Sequence, residues 1–204
     1  MSRLVAALDA DVLVPILSCD FLLTAYDLGL YEPVVSTMAV VEVERNLIAD
    51  FPQLDPVSVR RRVGQMRRAL EDHLVDPGSL DIPDSINPKD RHVIAAALAG
   101  EASVVVTNDR RLRTETTTAD VGLVAMSADD FALHLWELMP NDVNEVIRTL
   151  VAKRTKRRVT AEELMEALRA PFPTMAAAWF AATRDWHRPQ AKLSTRQSTG
   201  VTLA

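Results

Sequence analysis

Cysteine is nearly absent from this chain, with Cys19 alone among 204 residues. That excludes an internal disulfide and any cysteine-based metal spacing, and leaves Cys19 as a small buried hydrophobe. Long apolar runs are missing as well: the longest fall well short of the roughly 20 residues needed to span a bilayer. The N-terminus shows no charged start, apolar centre or cleavage site of a secretory signal, so cytoplasmic residence without membrane association is expected. Aromatic residues make up only 5% of the sequence. Trp136, Trp179, Phe180 and Trp186 fall on helical segments and read as core or helix-packing contacts. Neither Ser18 nor Cys19 has the accompanying histidine that a nucleophilic triad needs, and no internal repeat is visible. What remains, at 48% hydrophobic residues, is a soluble globular chain able to bury one core of roughly 100–150 residues with a smaller addition.

The net charge of -5 conceals a division. Residues 1–139 carry 12 Lys and Arg against 22 Asp and Glu, whereas residues 140–204 carry 11 against 6. An acidic first part and a basic last part suit different tasks, a cation site in one and a polyanion or acidic protein contact in the other.

Extended and helical patterns alternate along the first part, which predicts a parallel sheet with crossover helices. A strand over Arg3–Leu8 precedes a helix from Ser18 to Leu28 that ends at Gly29. Pro33-Val34-Val35 is a short strand. Ser36 caps a helix to about Ala49, and Asp55-Pro56 opens another to about His73. Val75 to Ile86 reads as a loop, Asn87-Pro88-Lys89-Asp90 starts a helix through Ala99, and strands follow at Ser103–Val106 and Val121–Met126. The remainder is helical. Ser127 caps Asp129–Met139, Pro140-Asn141 begins a segment through Arg157, and the capping box at Thr160 opens a helix to Arg169. Pro171 and Pro173 interrupt the pattern before a last helix from about Thr174 to Trp186. Beyond His187 the composition predicts disorder. Met38, Met126, Met139, Met165 and Met175 read as gap-fillers in apolar faces.

Two of the apolar runs end in acids: Leu4-Val5-Ala6-Ala7-Leu8 leads into Asp9-Ala10-Asp11, and Val104-Val105-Val106 into Thr107-Asn108-Asp109. Strands of this kind are buried on both faces of a parallel sheet, and ligands bind beyond their carboxyl ends. Carboxylates gathered from distant parts of a chain repel one another, and a hard divalent cation offsets that repulsion. Asp90, at about the third position of its predicted helix, fits the same cleft, or else caps the helix. Glu42 and Glu44 are two apart on one helix, so at most one enters the cleft. The helical wheel puts Glu44 nearer the stripe of Val40, Val43 and Leu47 and does not select Glu42. His92, beside Asp90, reads as a packing or capping residue.

The order of these pieces resembles the PIN-domain nucleases and, within them, the VapC-like toxins of bacterial toxin–antitoxin pairs. The matching pieces are Leu8-Asp9-Ala10-Asp11-Val12-Leu13, Ser36 with Glu42-Val43, Asp90-Arg91-His92-Val93-Ile94-Ala95-Ala96-Ala97, and Val106-Thr107-Asn108-Asp109. The resemblance implies an α/β fold, a three-layer α/β/α domain with a central parallel sheet over residues 1–130. A helical C-terminal extension (131–187) and a disordered tail (188–204) would complete the chain. It implies a site of Asp9, Glu42, Asp90 and Asp109 that holds Mg²⁺ or Mn²⁺, selects Glu42 over Glu44, and gives Thr107 the task of orienting the last acid. The family commonly has Asn at the position of Asp11, which here either binds the cation or hydrogen-bonds the loop.

Such a site would hydrolyse RNA phosphodiesters, because a divalent ion neutralises the anion and acidifies water. Arg60, Arg61, Arg62, Arg67 and Arg68 share one predicted helix, and Lys153, Arg154, Lys156, Arg157 and Arg158 end another. Of these, Arg60, Arg61, Arg67, Arg68, Arg154, Arg157 and Arg158 are the candidates for RNA contact. The resemblance further implies a homodimer and a small cognate antitoxin. Two alternatives remain at this stage. Asp-x-Asp after a strand also resembles the haloacid-dehalogenase-like phosphatases, with Asp9 as nucleophile and Asp11 as general acid. A PIN fold could also serve only as a binding module.

Overall fold

The apolar runs become strands of one parallel sheet in a computed structural model that describes residues 4–186 apart from 77, 79 and 156, with the backbone alone for 184–186. The expected disordered tail and the side chain of Trp186 lie outside the described residues. Strands β1 (Val5–Leu8), β2 (Glu32–Ser36), β3 (Leu74–Val75), β4 (Val104–Val106) and β5 (Val124–Met126) lie in the order β3-β2-β1-β4-β5. Every pairing is parallel, with Ala7 opposite Val34 on one side and Val105 on the other. This is an α/β fold.

Side chains alternate across the strands, and two separate cores result. Ala6, Leu8, Val35 and Val106 face a large cluster, while Ala7, Val34 and Val105 face a smaller one. The large cluster takes in α1 (Ala10–Leu13), α2 (Ile16–Asp27), α3 (Thr37–Asp50) and α4 (Pro56–Ala69). It continues without a break into α7 (Ala128–Leu138), α8 (Pro140–Lys153), α9 (Ala161–Leu168) and α10 (Pro173–Trp186). The smaller cluster is covered by α5 (Arg91–Ala99) and by Leu112 of α6 (Arg110–Ala119). Aromatic pairs join early and late segments: Phe21 meets Phe172 at 4.9 Å between ring centroids, and Tyr31 meets Phe131 at 5.1 Å. Each pair adds about 0.5–1.5 kcal/mol beyond the area it buries.

Several elements differ from the sequence expectations for identifiable reasons. The helix expected to reach His73 stops at Ala69, because Leu74 and Val75 pair with Val35 and Ser36 as a two-residue edge strand. Helix α5 begins at Arg91 rather than Asn87, residues 88–90 forming a turn. Helix α6 was not expected. Its run of threonines has weak helical propensity, yet Thr114, Thr116, Thr117 and Thr118 return their hydroxyls to the carbonyls four residues back. Helix α8 stops at Lys153 instead of Arg157; the Arg154 guanidinium donates to the Leu150 carbonyl, and the Lys153 ammonium reaches Thr24 of α2. Met38 does not fill an apolar gap but is 52% exposed at the start of α3.

Gly100 closes α5 against β2. A Cβ there would stand 2.6 Å from a Val34 methyl, so only glycine allows this approach. Among the described residues, no helix is long and apolar enough to cross a membrane.

Candidate active site

The strand order reverses between β1 and β4, and in open α/β sheets the crevice beyond the carboxyl ends at that point is where ligands bind. Asp9 follows β1 and caps α1, its Oδ1 accepting the Ala10 N–H at 2.6 Å. Its Oδ2 accepts the Thr107 hydroxyl, from just beyond β4, at 2.7 Å. The same hydroxyl oxygen receives the Asp109 N–H at 3.1 Å. The Thr107 hydroxyl thus touches the last acid at its backbone N–H, while its own hydrogen faces Asp9, with Asp11 Oδ2 at 3.3 Å.

Asp109 caps α6, accepting the N–H groups of Arg111 and Leu112 on Oδ1. Asp90 occupies the cap position of α5 rather than the third helical position, and its side chain makes no capping bond. Glu42, with 23% of its side chain exposed, points to α5, where its Oε2 lies 3.4 Å from His92 Nε2. Glu44 instead lines a shallow apolar depression with Val41 and Ile48. Asp11 hydrogen-bonds the loop, its Oδ2 accepting the Asn108 N–H at 2.9 Å, while its Oδ1 is buried without a hydrogen-bond partner.

Crowding of these acids shows in their protonation. Burial pushes the Asp9 carboxyl up, bonds from Thr107 and Ala10 oppose this, and Asp90 and Glu42 push it up further. Asp11 is pushed up to about 7, by burial first and the charge of Asp9 second. Asp90 is raised by burial and then by Asp109 and Glu115. Carboxylates that favour their protons in this way mark a site short of positive charge. Among the described residues, no three His, Cys, Asp or Glu side chains converge tightly enough to hold a metal ion as they stand. The donor chemistry nonetheless fits a hard divalent cation: these are oxygen ligands, mutually repelling, with an unpartnered oxygen on Asp11.

Sequence reasoning missed part of this setting. His92 is 6% exposed, with its Nδ1 buried and unpartnered. Glu115 accepts the Asn87 N–H and the Arg111 Nε, tying the turn before Asp90 to α6. Arg113 donates to the Thr107 carbonyl at 2.6 Å. The side-chain oxygen of Asn108 accepts the Ala128 N–H, joining the acidic loop to the start of α7. The spacing of Arg111 and Glu115 is a helical ion-pair signal, legible only once α6 is assigned.

The arginines expected to contact RNA form no ion pair with the four candidate acids among the described residues, whereas Arg45 reaches Glu42 at 3.4 Å. Arg60, Arg61, Arg67 and Arg68 are exposed on α4, and Arg157 and Arg158 are exposed between α8 and α9. Arg62 is structural, donating to the carbonyls of Leu13 and Val14. Arg154 is half-buried and caps α8. Cys19 is buried and its thiol is pushed up to about 11, as expected of an inert core residue.

A family model for the PIN domain matches residues 5–111, from β1 to the start of α6. PIN domains are usually nucleases and generally use divalent metal ions. The match sets aside the phosphatase reading of Asp9-Ala10-Asp11. No curated protein and no solved structure matches the chain. The matched stretch is more than half of the 204 residues and contains Asp9, Glu42, Asp90 and Asp109, and on that basis the chain belongs to the PIN domain family.

Proposed function

We propose that this chain is a Mg²⁺- or Mn²⁺-dependent endoribonuclease of the VapC-like toxin type, acting in the cytoplasm. The observation that carries the reading is the burial of Asp9 at the switch point of the sheet, where burial raises its pKa and the charges of Asp90 and Glu42 add to the rise. Asp9, Glu42, Asp90 and Asp109 would hold the cation, some of them through water, since Mg²⁺ takes only one or two direct carboxylates. The chemistry a bound divalent ion supplies is neutralisation of the phosphodiester and acidification of water.

The chain's own residues have distinct tasks in this scheme. Thr107 fixes the Asp9 carboxylate by its hydroxyl. Asp11 holds the loop through the Asn108 N–H and supports the site. Glu42 is positioned by α3 and by the His92 ring. Exposed Arg60, Arg61, Arg67, Arg68, Arg157 and Arg158, with Arg154 beside them, would contact RNA phosphates. Residues 1–130 would supply the chemistry and the helices of 131–187 would support binding.

A cytoplasmic ribonuclease must be held in check. A small antitoxin would lay an amphipathic helix in an apolar groove and place an Arg or Lys among the acids, since a cationic fork binds paired carboxylates well. The homodimer implied by the family resemblance has a candidate surface on α3, where Val41 is 56% and Ile48 54% exposed.

The test is cleavage of total RNA with Mg²⁺ or Mn²⁺, with and without chelator. Wild type should cleave only with metal, and Asp9→Asn should lose more than about 100-fold of that activity, the loss expected when a ligand rather than its supporting partner is removed. Expression of the chain alone should arrest growth, and Asp9→Asn or co-expression of a small neighbouring gene should relieve the arrest. Wild-type protein that accumulates without slowing growth or cutting RNA ends this reading in favour of a binding module.

A further inference from the structure

A second cavity adjoins the acids. It has a volume of about 350 Å³ and is walled by Met38 of α3, Ile82 and Pro88 of the β3–α5 connection, and Ala95 and His92 of α5. That volume is near the lower end of the roughly 300–1,000 Å³ typical of small-ligand sites, room for one flat ring rather than several. The connection to the acids is the His92 imidazole, whose Nε2 lies 3.4 Å from Glu42.

Polar groups share this slot with the apolar ones. Arg91 is pinned there, its Nε donating to the Ile86 carbonyl at 3.0 Å and its Nη2 to Asp84 Oδ1 at 2.8 Å. A guanidinium fixed at two points is a planar surface that needs no further ordering. Asp81 and Asp84 also line the cavity and bring carboxylate oxygens to it. In single-stranded RNA, unstacked bases are splayed out, stacked on histidine rings or arginine planes, and read at their edges. A slot that combines apolar walls with a pinned Arg, a His and two carboxylates has those features.

Resting on the ribonuclease reading above, we propose that this cavity is a nucleobase subsite. It would receive one unpaired base next to the scissile phosphate and favour guanine over uracil. Guanine's N1–H and 2-amino group would donate together to a carboxylate of Asp81 or Asp84, where uracil's N3–H makes one bond. Met38, exposed at the mouth, would cover the ring. This accounts for a large apolar side chain left open to solvent beside an acidic site.

The experiment is sequencing of cut ends from a pool of random single-stranded oligoribonucleotides cleaved with Mn²⁺. Wild type should favour guanine over uracil at one position flanking the cut by about tenfold or more, the discrimination of one well-made base-edge contact. Met38→Trp should fill the mouth, raise KM and erase that bias. Asp84→Lys, at a fully exposed side chain where folding is not at stake, should reduce or invert it. Cleavage by wild type without a positional bias, or the same bias in both variants, overturns the subsite and leaves the ribonuclease standing. No cleavage by wild type overturns both.

Discussion

At the carboxyl edge of the sheet, acids outnumber the cations among them, Arg45 reaching Glu42 at 3.4 Å and Arg111 pairing with Glu115. In α7–α10 the acids that cap helices all have donors. Asp130 accepts from Ser127, and Glu163 from the Thr160 N–H, each completing a capping box. Asp129 accepts the N–H groups of Thr174 and Met175 at the start of α10. At the sheet edge, by contrast, burial and neighbouring charge push Asp9, Asp11 and Asp90 toward their protonated forms, and Asp11 Oδ1 and His92 Nδ1 have no partner. One region spends its polar groups on holding the fold and the other keeps them unsettled, as a binding site must.

The contrast breaks down first, if it is wrong, in the helical part. Phe172→Ala removes a side chain that is 0% exposed and packed at a tilt against Phe21, and should cost about 3–5 kcal/mol of stability in denaturant unfolding. The protein that remains folded should cleave RNA at the wild-type specific rate. A specific rate that falls with no loss of stability would mean that the two regions are not separable.

The next effect belongs to the acids. The Asp11 carboxyl, near 7 in the folded chain against 3.8 ordinarily, binds its proton more tightly when folded. Its contribution to stability is therefore full below about pH 4 and is lost as pH rises through 7. Metal-free wild type should lose melting temperature over that window relative to Asp11→Asn, and saturating Mg²⁺ should narrow the gap. Parallel profiles for the two proteins would show that Asp11 carries no such strain.

Smaller changes are expected on the surface. Charge reversal at Arg157 and Arg158 should flatten the salt dependence of RNA binding, by roughly 0.7 in log–log slope for each phosphate no longer neutralised, with little change at saturating substrate. An unaltered slope leaves them as a solvated face. The smallest effect is at Glu44→Gln, where cleavage should stay within about twofold of wild type because Glu44 lies on the opposite flank of α3 from Glu42.

The sequence showed β1, β2 and β4 because strands buried on both faces must be continuously apolar, and their ends put Asp9 and Asp109 at one edge. It did not show β3, since two half-buried residues carry no period, nor α6, whose threonines mask a helix held partly by their own hydroxyls. The helical wheel could not choose between Glu42 and Glu44, because it ranks positions against α3's own stripe and has no knowledge of α5. The structure puts Glu42 against His92 of α5, a neighbour the wheel does not contain. The bond from Thr107 to Asp9 joins residues 98 apart and had no local signal at all.

Gly100 gives the acids a mechanical dependence on a residue far from them. Helix α5 is a rigid rod of nine residues, roughly 13 Å long at 1.5 Å per residue, with Asp90 at one tip and Gly100 at the other. The glycine rests against Val34 with no room to spare. It is the heel of a lever whose toe carries a carboxylate. A methyl added at the heel must displace the Val34 side chain, tip the rod or move β2, so the spacing of charges across the crevice depends on packing at the far end of α5.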